Sequence, residues 1–78
     1  MFPNLDAEQA RRGESNAYIA ELLNLSRTSY EKKKKSGKFT TPQIQYLCKH
    51  YGAPFDYLFS TSPIVGLYKN AKKETEKQ

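Results

Sequence analysis

Apolar positions along the chain recur at helical spacing in short blocks, and several blocks end at a glycine or an asparagine. The clearest block lies in residues 15–33. Ile19, Ala20, Leu22 and Leu23 follow polar Ser15 and Asn16, and the run stops at Asn24, which tolerates the left-handed backbone of a sharp helix exit. Leu25 then anchors a turn, and Ser26 suits the N-cap of a second helix beginning at Arg27. Small Ala20, between larger apolar residues, fits the point where two helices cross closely. Tyr30 is expected to face inward, which leaves Arg27, Thr28, Glu31, Lys32 and Lys35 on one outward stripe.

The same pattern predicts three more helices. Leu5 to Arg12 reads as the first, with Asn4 as its N-cap, Leu5 and Gln9 facing inward, and Gly13 as the stop. Asp6 and Glu8 are well placed for its dipole, and Ser15 caps the helix that follows. The helix from Arg27 should end at Ser36-Gly37 after fraying through Lys33 to Lys35, where adjacent lysines repel. Phe39, in the next loop, is expected to plug the core. Thr41-Pro42 supplies a hydroxyl cap and a first-turn proline, and Ile44, Leu47, Cys48 and Tyr51 then form one apolar stripe closed by Gly52. Pro54 to Phe59 reads as a short fifth helix, with Phe55, Tyr57 and Leu58 completing the core. From Ser60 the composition changes to a turn at 60–63, a short apolar segment Ile64–Tyr68, and a polar end over 70–78 with the composition of a disordered tail.

A chain of 78 residues with 37% hydrophobic content makes one small domain with a modest core. The single cysteine, Cys48, forms no internal disulfide, and Cys48 with His50 lacks the second pair that a metal site needs. Neither a signal peptide nor an apolar run of membrane-spanning length is recognisable, so the cytoplasm is the expected compartment. Cys48 falls on the apolar stripe and reads as a small hydrophobe, while His50 falls off it and is expected to be exposed. Asp6, Glu8, Glu14 and Glu21 read as separate surface carboxylates, so no acid–base or nucleophile constellation can be assembled and an enzyme is not expected.

Charge changes the picture more than composition does. The net charge is +5, and residues 27–38 carry all of it: Arg27, Lys32, Lys33, Lys34, Lys35 and Lys38 stand against Glu31 alone. Localised positive charge of this kind is the footprint expected for a phosphate backbone.

These residues resemble the Cro and phage-repressor-like (xenobiotic-response-element type) helix-turn-helix transcription factors. The likeness runs through Ser15-Asn16, Ile19-Ala20, Leu23, Asn24-Leu25-Ser26-Arg27 and Tyr30. It continues into Leu47, Tyr51-Gly52 and Asp56-Tyr57-Leu58-Phe59, and covers roughly residues 4 to 60. The resemblance implies an all-α, compact five-helix lambda-repressor-like DNA-binding domain over 1–60, followed by a short C-terminal tail over 61–78. Asn16 stands where the family usually carries a glutamine that fixes the backbone or the recognition helix, and Asn24 replaces the usual turn glycine. Many members also pair an arginine in the first helix with a glutamate just after the recognition helix. The matching positions here are Gln9 and Lys34, so packing or another polar contact must hold that region.

In such a domain Arg27 and Thr28 occupy the first turn of the recognition helix, where arginine matches guanine in bidentate fashion and threonine meets a phosphate or a thymine methyl. Lys32 lies one turn on; Glu31 either accepts from a cytosine amino group or pairs with Arg27 at i, i+4 and orients it. Ser26 caps the helix and can also donate to a phosphate, while Lys35 and Lys38, with the rest of the lysine run, suit phosphate clamping. The expected function is a sequence-specific transcriptional regulator, a phage or mobile-element repressor working as a homodimer on a near-palindromic operator in double-stranded DNA, with no cofactor. Residues 63–68 are the candidate dimer segment, folding back on their own domain being the alternative. The rival reading is a helix-turn-helix protein acting through a protein partner, as an antitoxin or enzyme inhibitor, with the tail carrying the function.

Overall fold

Three of the helix ends owe their geometry to one residue each, placed where the backbone must turn left-handed. In the computed structural model, which describes residues 1–62, Gly13, Asn24 and Gly52 have φ of 67°, 59° and 60°. After each, the chain closes the same pair of hydrogen bonds. At Asn24, for example, the Asn24 N–H donates to the Glu21 carbonyl at 3.1 Å and the Leu25 N–H to the Ala20 carbonyl at 2.8 Å. The last carbonyls of the helix are thereby satisfied. Asparagine supports this conformation where most side chains resist it.

Five helices result: α1 Pro3–Arg11, α2 Asn16–Leu22, α3 Arg27–Ser36, α4 Thr41–Tyr51 and α5 Phe55–Leu58. The described residues are all-helical. Their core consists of Phe2, Leu5, Ile19, Ala20, Tyr30, Leu47, Tyr51, Tyr57 and Leu58. Ala20 is 1% exposed and Tyr30 is fully buried, so the tight contact between α2 and α3 and the inward anchor lie where the pattern put them. Phe39 packs from the α3–α4 loop against Phe2, Tyr30 and Phe59, with ring centroids 5.6–6.1 Å apart.

Several expectations are corrected. The first helix begins at Pro3 with Phe2 in the N-cap position, because proline lacks the N–H that the first turn leaves unpaired. Asn4, expected to cap it, is buried, and its amide donates to the carbonyls of Tyr57 and Ser62 at 2.9 and 3.1 Å, tying the start of α1 to α5. The cap of α4 is Thr40, one residue earlier than expected. Its hydroxyl accepts from the Gln43 N–H while the Gln43 side chain accepts from the Thr40 N–H, a reciprocal box that Thr41 lacks. Phe55 is 54% exposed and stacks on Phe59 instead of entering the core, where Tyr57 and Leu58 are. No fraying is seen at Lys33 to Lys35: α3 continues to Ser36, and Gly37 at φ 78° ends it. The segment 63–68, read as a candidate dimer surface, lies outside the described residues.

Candidate nucleic-acid interface

Helix α3 owes its start to Ser26. The Ser26 hydroxyl accepts from the Ser29 N–H at 3.1 Å and is 3.0 Å from the Ser29 hydroxyl, so Arg27 and Thr28 form the exposed first turn. Tyr30 is buried on the reverse of that helix, which turns Arg27, Thr28, Lys32 and Lys35 outward. Lys38 is exposed in the loop beyond. Glu31 sits at the edge of the stripe with its side chain 35% exposed, and its Oε2 is 3.6 Å from Arg27 Nη1. The intrahelical pair with Arg27 is thus formed within the chain.

Beneath the stripe lies a polar layer that joins three helices. Asn16, the first residue of α2, donates from Nδ2 to Glu31 Oε2 at 3.0 Å. Its Oδ1 accepts from Gln9 Nε2 at 2.8 Å and from Lys34 Nζ at 3.1 Å. These partners fix the amide's orientation, since a flipped Asn16 would set its NH2 against two donors and its oxygen against a carboxylate. Gln9 accepts at Oε1 from the Tyr30 hydroxyl at 2.9 Å and donates from Nε2 to the Glu14 carbonyl at 3.0 Å. Burial, then the charges of Asp6 and Glu14, pushes the Tyr30 hydroxyl well above its ordinary range, so it remains a neutral donor.

Lys34 differs from its neighbours in the lysine run. Its side chain is 16% exposed, and Nζ donates to Asp6 Oδ1 at 2.7 Å and lies 5.1 Å from the centre of the Tyr30 ring. Lys34 on α3 is thus answered by an aspartate on α1. Lys33 donates to the Lys38 carbonyl at 3.1 Å, steadying the exit of α3. Asp6, one turn before Gln9 on α1, is the partner of Lys34 that spacing alone did not single out.

A second polar cluster joins the α1–α2 turn to α4, and it overturns two expectations. His50 is held with its side chain 19% exposed, its Nε2 2.8 Å from Glu14 Oε2. Glu14 is no free surface carboxylate, since its other oxygen accepts from the Tyr51 hydroxyl at 2.8 Å. Burial works to raise the Glu14 carboxyl, yet the hydrogen bonds from Tyr51 and His50 and the electrostatic pull of His50 and Arg12 hold it below the ordinary value. Glu8 is likewise buried, accepting from the Tyr57 hydroxyl at 2.8 Å and paired with Arg11. Arg12 donates to the His50 carbonyl at 3.1 Å and lies over the Tyr51 ring. The arrangement commits each of these groups to a structural partner. The Cys48 thiol is pushed up by burial, which disfavours the reactive thiolate.

Among the described residues no group of three or more histidines, cysteines or carboxylates could hold a metal ion, and no helix is long and apolar enough to cross a membrane. No family model, curated protein or solved structure matches the chain.

Proposed function

We propose that the chain is a sequence-specific DNA-binding transcriptional regulator of the helix-turn-helix type, with α2 and α3 as the motif and α3 as the helix that enters the major groove. The observation that carries this reading is the outward stripe of α3. Arg27, Thr28, Lys32 and Lys35 are exposed on a helix whose opposite side is anchored by buried Tyr30. That face carries Arg27, Lys32 and Lys35 of the basic run, with Lys38 exposed in the loop beyond and Lys34 turned to Asp6. Arg27 and Thr28 are the base-reading pair, Ser26, Lys32, Lys35 and Lys38 meet phosphates, and Asn16 and Glu31 brace the face from beneath. A domain of this size covers one half-site, so the active form is a homodimer on a near-palindromic operator. The regulator represses by occupying that operator.

Selection of binding sequences from a randomised duplex library tests the reading. An inverted repeat should be enriched, and Arg27→Ala should relax one base pair in each half. Weak, unselective binding that vanishes equally for both proteins as salt rises would overturn it. One observation favours action through a protein partner instead: Phe55 is 54% exposed at the far end of the described chain, beside Phe59. On that reading Phe55→Ser abolishes partner binding and leaves any DNA binding intact.

A further inference from the structure

Glu31 is the one acidic residue on a face otherwise built to attract phosphates, and two independent contacts hold it there. Asn16 Nδ2 donates to its Oε2 at 3.0 Å, and the same oxygen is 3.6 Å from Arg27 Nη1. Asn16 is itself locked, because its oxygen serves Gln9 and Lys34 together. A chain of contacts therefore runs from Asp6 on α1 through Lys34, Asn16 and Glu31 to the guanidinium of Arg27. A carboxylate on a phosphate-facing surface weakens sequence-independent binding. Its persistence in a braced position needs a return.

We infer that Glu31 is the positioning residue that gives the face its selectivity: it orients the Arg27 guanidinium for one base edge while lowering affinity for DNA of any sequence. This rests on the DNA-contacting reading of α3. An unbraced arginine on an exposed first turn samples many rotamers and meets phosphates as readily as bases. Held by Glu31, Arg27 presents its planar fork in one direction, which is the condition for bidentate recognition of guanine. Lys34 contributes from behind by fixing the amide that fixes Glu31.

Two near-isosteric substitutions separate this role from a structural one. Glu31→Gln keeps an oxygen for Asn16 and removes the charge beside Arg27. Asn16→Asp keeps acceptors for Gln9 and Lys34 but turns a carboxylate toward Glu31. Library selection and titration against a non-operator duplex, each at about 50 and about 200 mM salt, give the two readouts. E31Q should bind non-operator duplex about threefold more tightly at the lower salt. It should also lose roughly tenfold in discrimination at the base pair that Arg27→Ala relaxes. N16D should lose discrimination at that same base pair without the gain in non-operator affinity. A gain in general affinity in E31Q alone, with a loss of selectivity shared by both, is a pattern that a loosened fold does not produce. Should N16D weaken the fold by circular dichroism, E31Q alone decides. Unchanged base preference in E31Q overturns the inference. A wild-type protein that selects no sequence overturns the DNA reading itself, a distinct result, since there is then no preference to lose.

Discussion

The two polar clusters of this domain use similar residues to opposite ends. The layer under α3 is open: Gln9, Asn16, Tyr30 and Lys34 bond to one another, and through Glu31 the layer reaches an exposed arginine. The cluster behind α4 is closed: Glu14, His50, Tyr51 and Arg12 satisfy one another, and none of their side-chain hydrogen bonds reaches a residue of α3. They meet at a single residue. The Glu14 carbonyl accepts from Gln9 in the first cluster, while its carboxylate anchors the second. Substitutions in the closed cluster should therefore change stability alone, whereas those in the open one should change stability and DNA selection together.

Gln9→Leu breaks the open layer at its centre and carries the largest expected effect. The buried Tyr30 hydroxyl loses its acceptor, and the Glu14 carbonyl and Asn16 Oδ1 each lose a donor. Leaving buried polar groups unpaired costs about 1–3 kcal/mol each, and partial relaxation brings the expected loss to about 2–3 kcal/mol. Urea denaturation measures it. A loss under about 0.5 kcal/mol would mean that water or a shifted side chain replaces Gln9 readily.

Glu14→Gln tests the closed cluster, with a loss of about 1 kcal/mol near neutral pH and unchanged DNA selection. The pH dependence has a definite sign. The folded-state carboxyl lies below the ordinary value of 4.5, so its stabilisation is complete above that value and fades as pH falls through the folded-state value. The gap between wild type and E14Q in urea midpoints should accordingly close on going from about pH 6 to about pH 2.5. A gap that stays constant over that range would show that the ionised carboxylate is not what holds the cluster.

How far the sequence alone reached differs between these regions for a physical reason. Apolar periodicity and capping chemistry are local, so the helix exits at Gly13, Asn24 and Gly52, the N-caps Ser15 and Ser26, and the inward Tyr30 all lie where spacing put them. Local rules were off by one residue at α4, where Thr40 and Thr41 compete and the position of Gln43 decides. They failed where a polar side chain finds its partner far along the chain. Glu14 meets His50 across 36 residues, Glu8 meets Tyr57 across 49, and Asn4 meets the Tyr57 carbonyl across 53. Nothing in the neighbourhood of a carboxylate or an asparagine announces such a partner. Phe2 was missed for a related reason: a residue next to the chain start has no helical period to reveal that it packs against Phe39 and Phe59. For the candidate site, the outward stripe was legible because it repeats with the helix, while the brace behind it required three helices to be brought together.

The finest test of the comparison lies within the lysine run, between neighbours of like chemistry. Lys34 is drawn inward to Asp6, Asn16 and Gln9, and Lys35 beside it is exposed. Lys34→Ala removes one ion pair with a half-exposed aspartate and one donor to Asn16, for an expected loss of about 0.5–1 kcal/mol once solvent screening of Asp6 is allowed for. Because Lys34 Nζ is committed to that layer, the salt dependence of DNA binding should keep its slope. Lys35→Ala should do the reverse. Stability stays within about 0.5 kcal/mol of wild type, and the slope of log affinity against log salt becomes shallower by about 0.9, the value of one phosphate contact. Urea midpoints and a salt titration on the same two variants give a crossed pattern. If both lysines shift the slope equally, Lys34 leaves its layer when DNA arrives, and the boundary between brace and contact surface lies one residue further in.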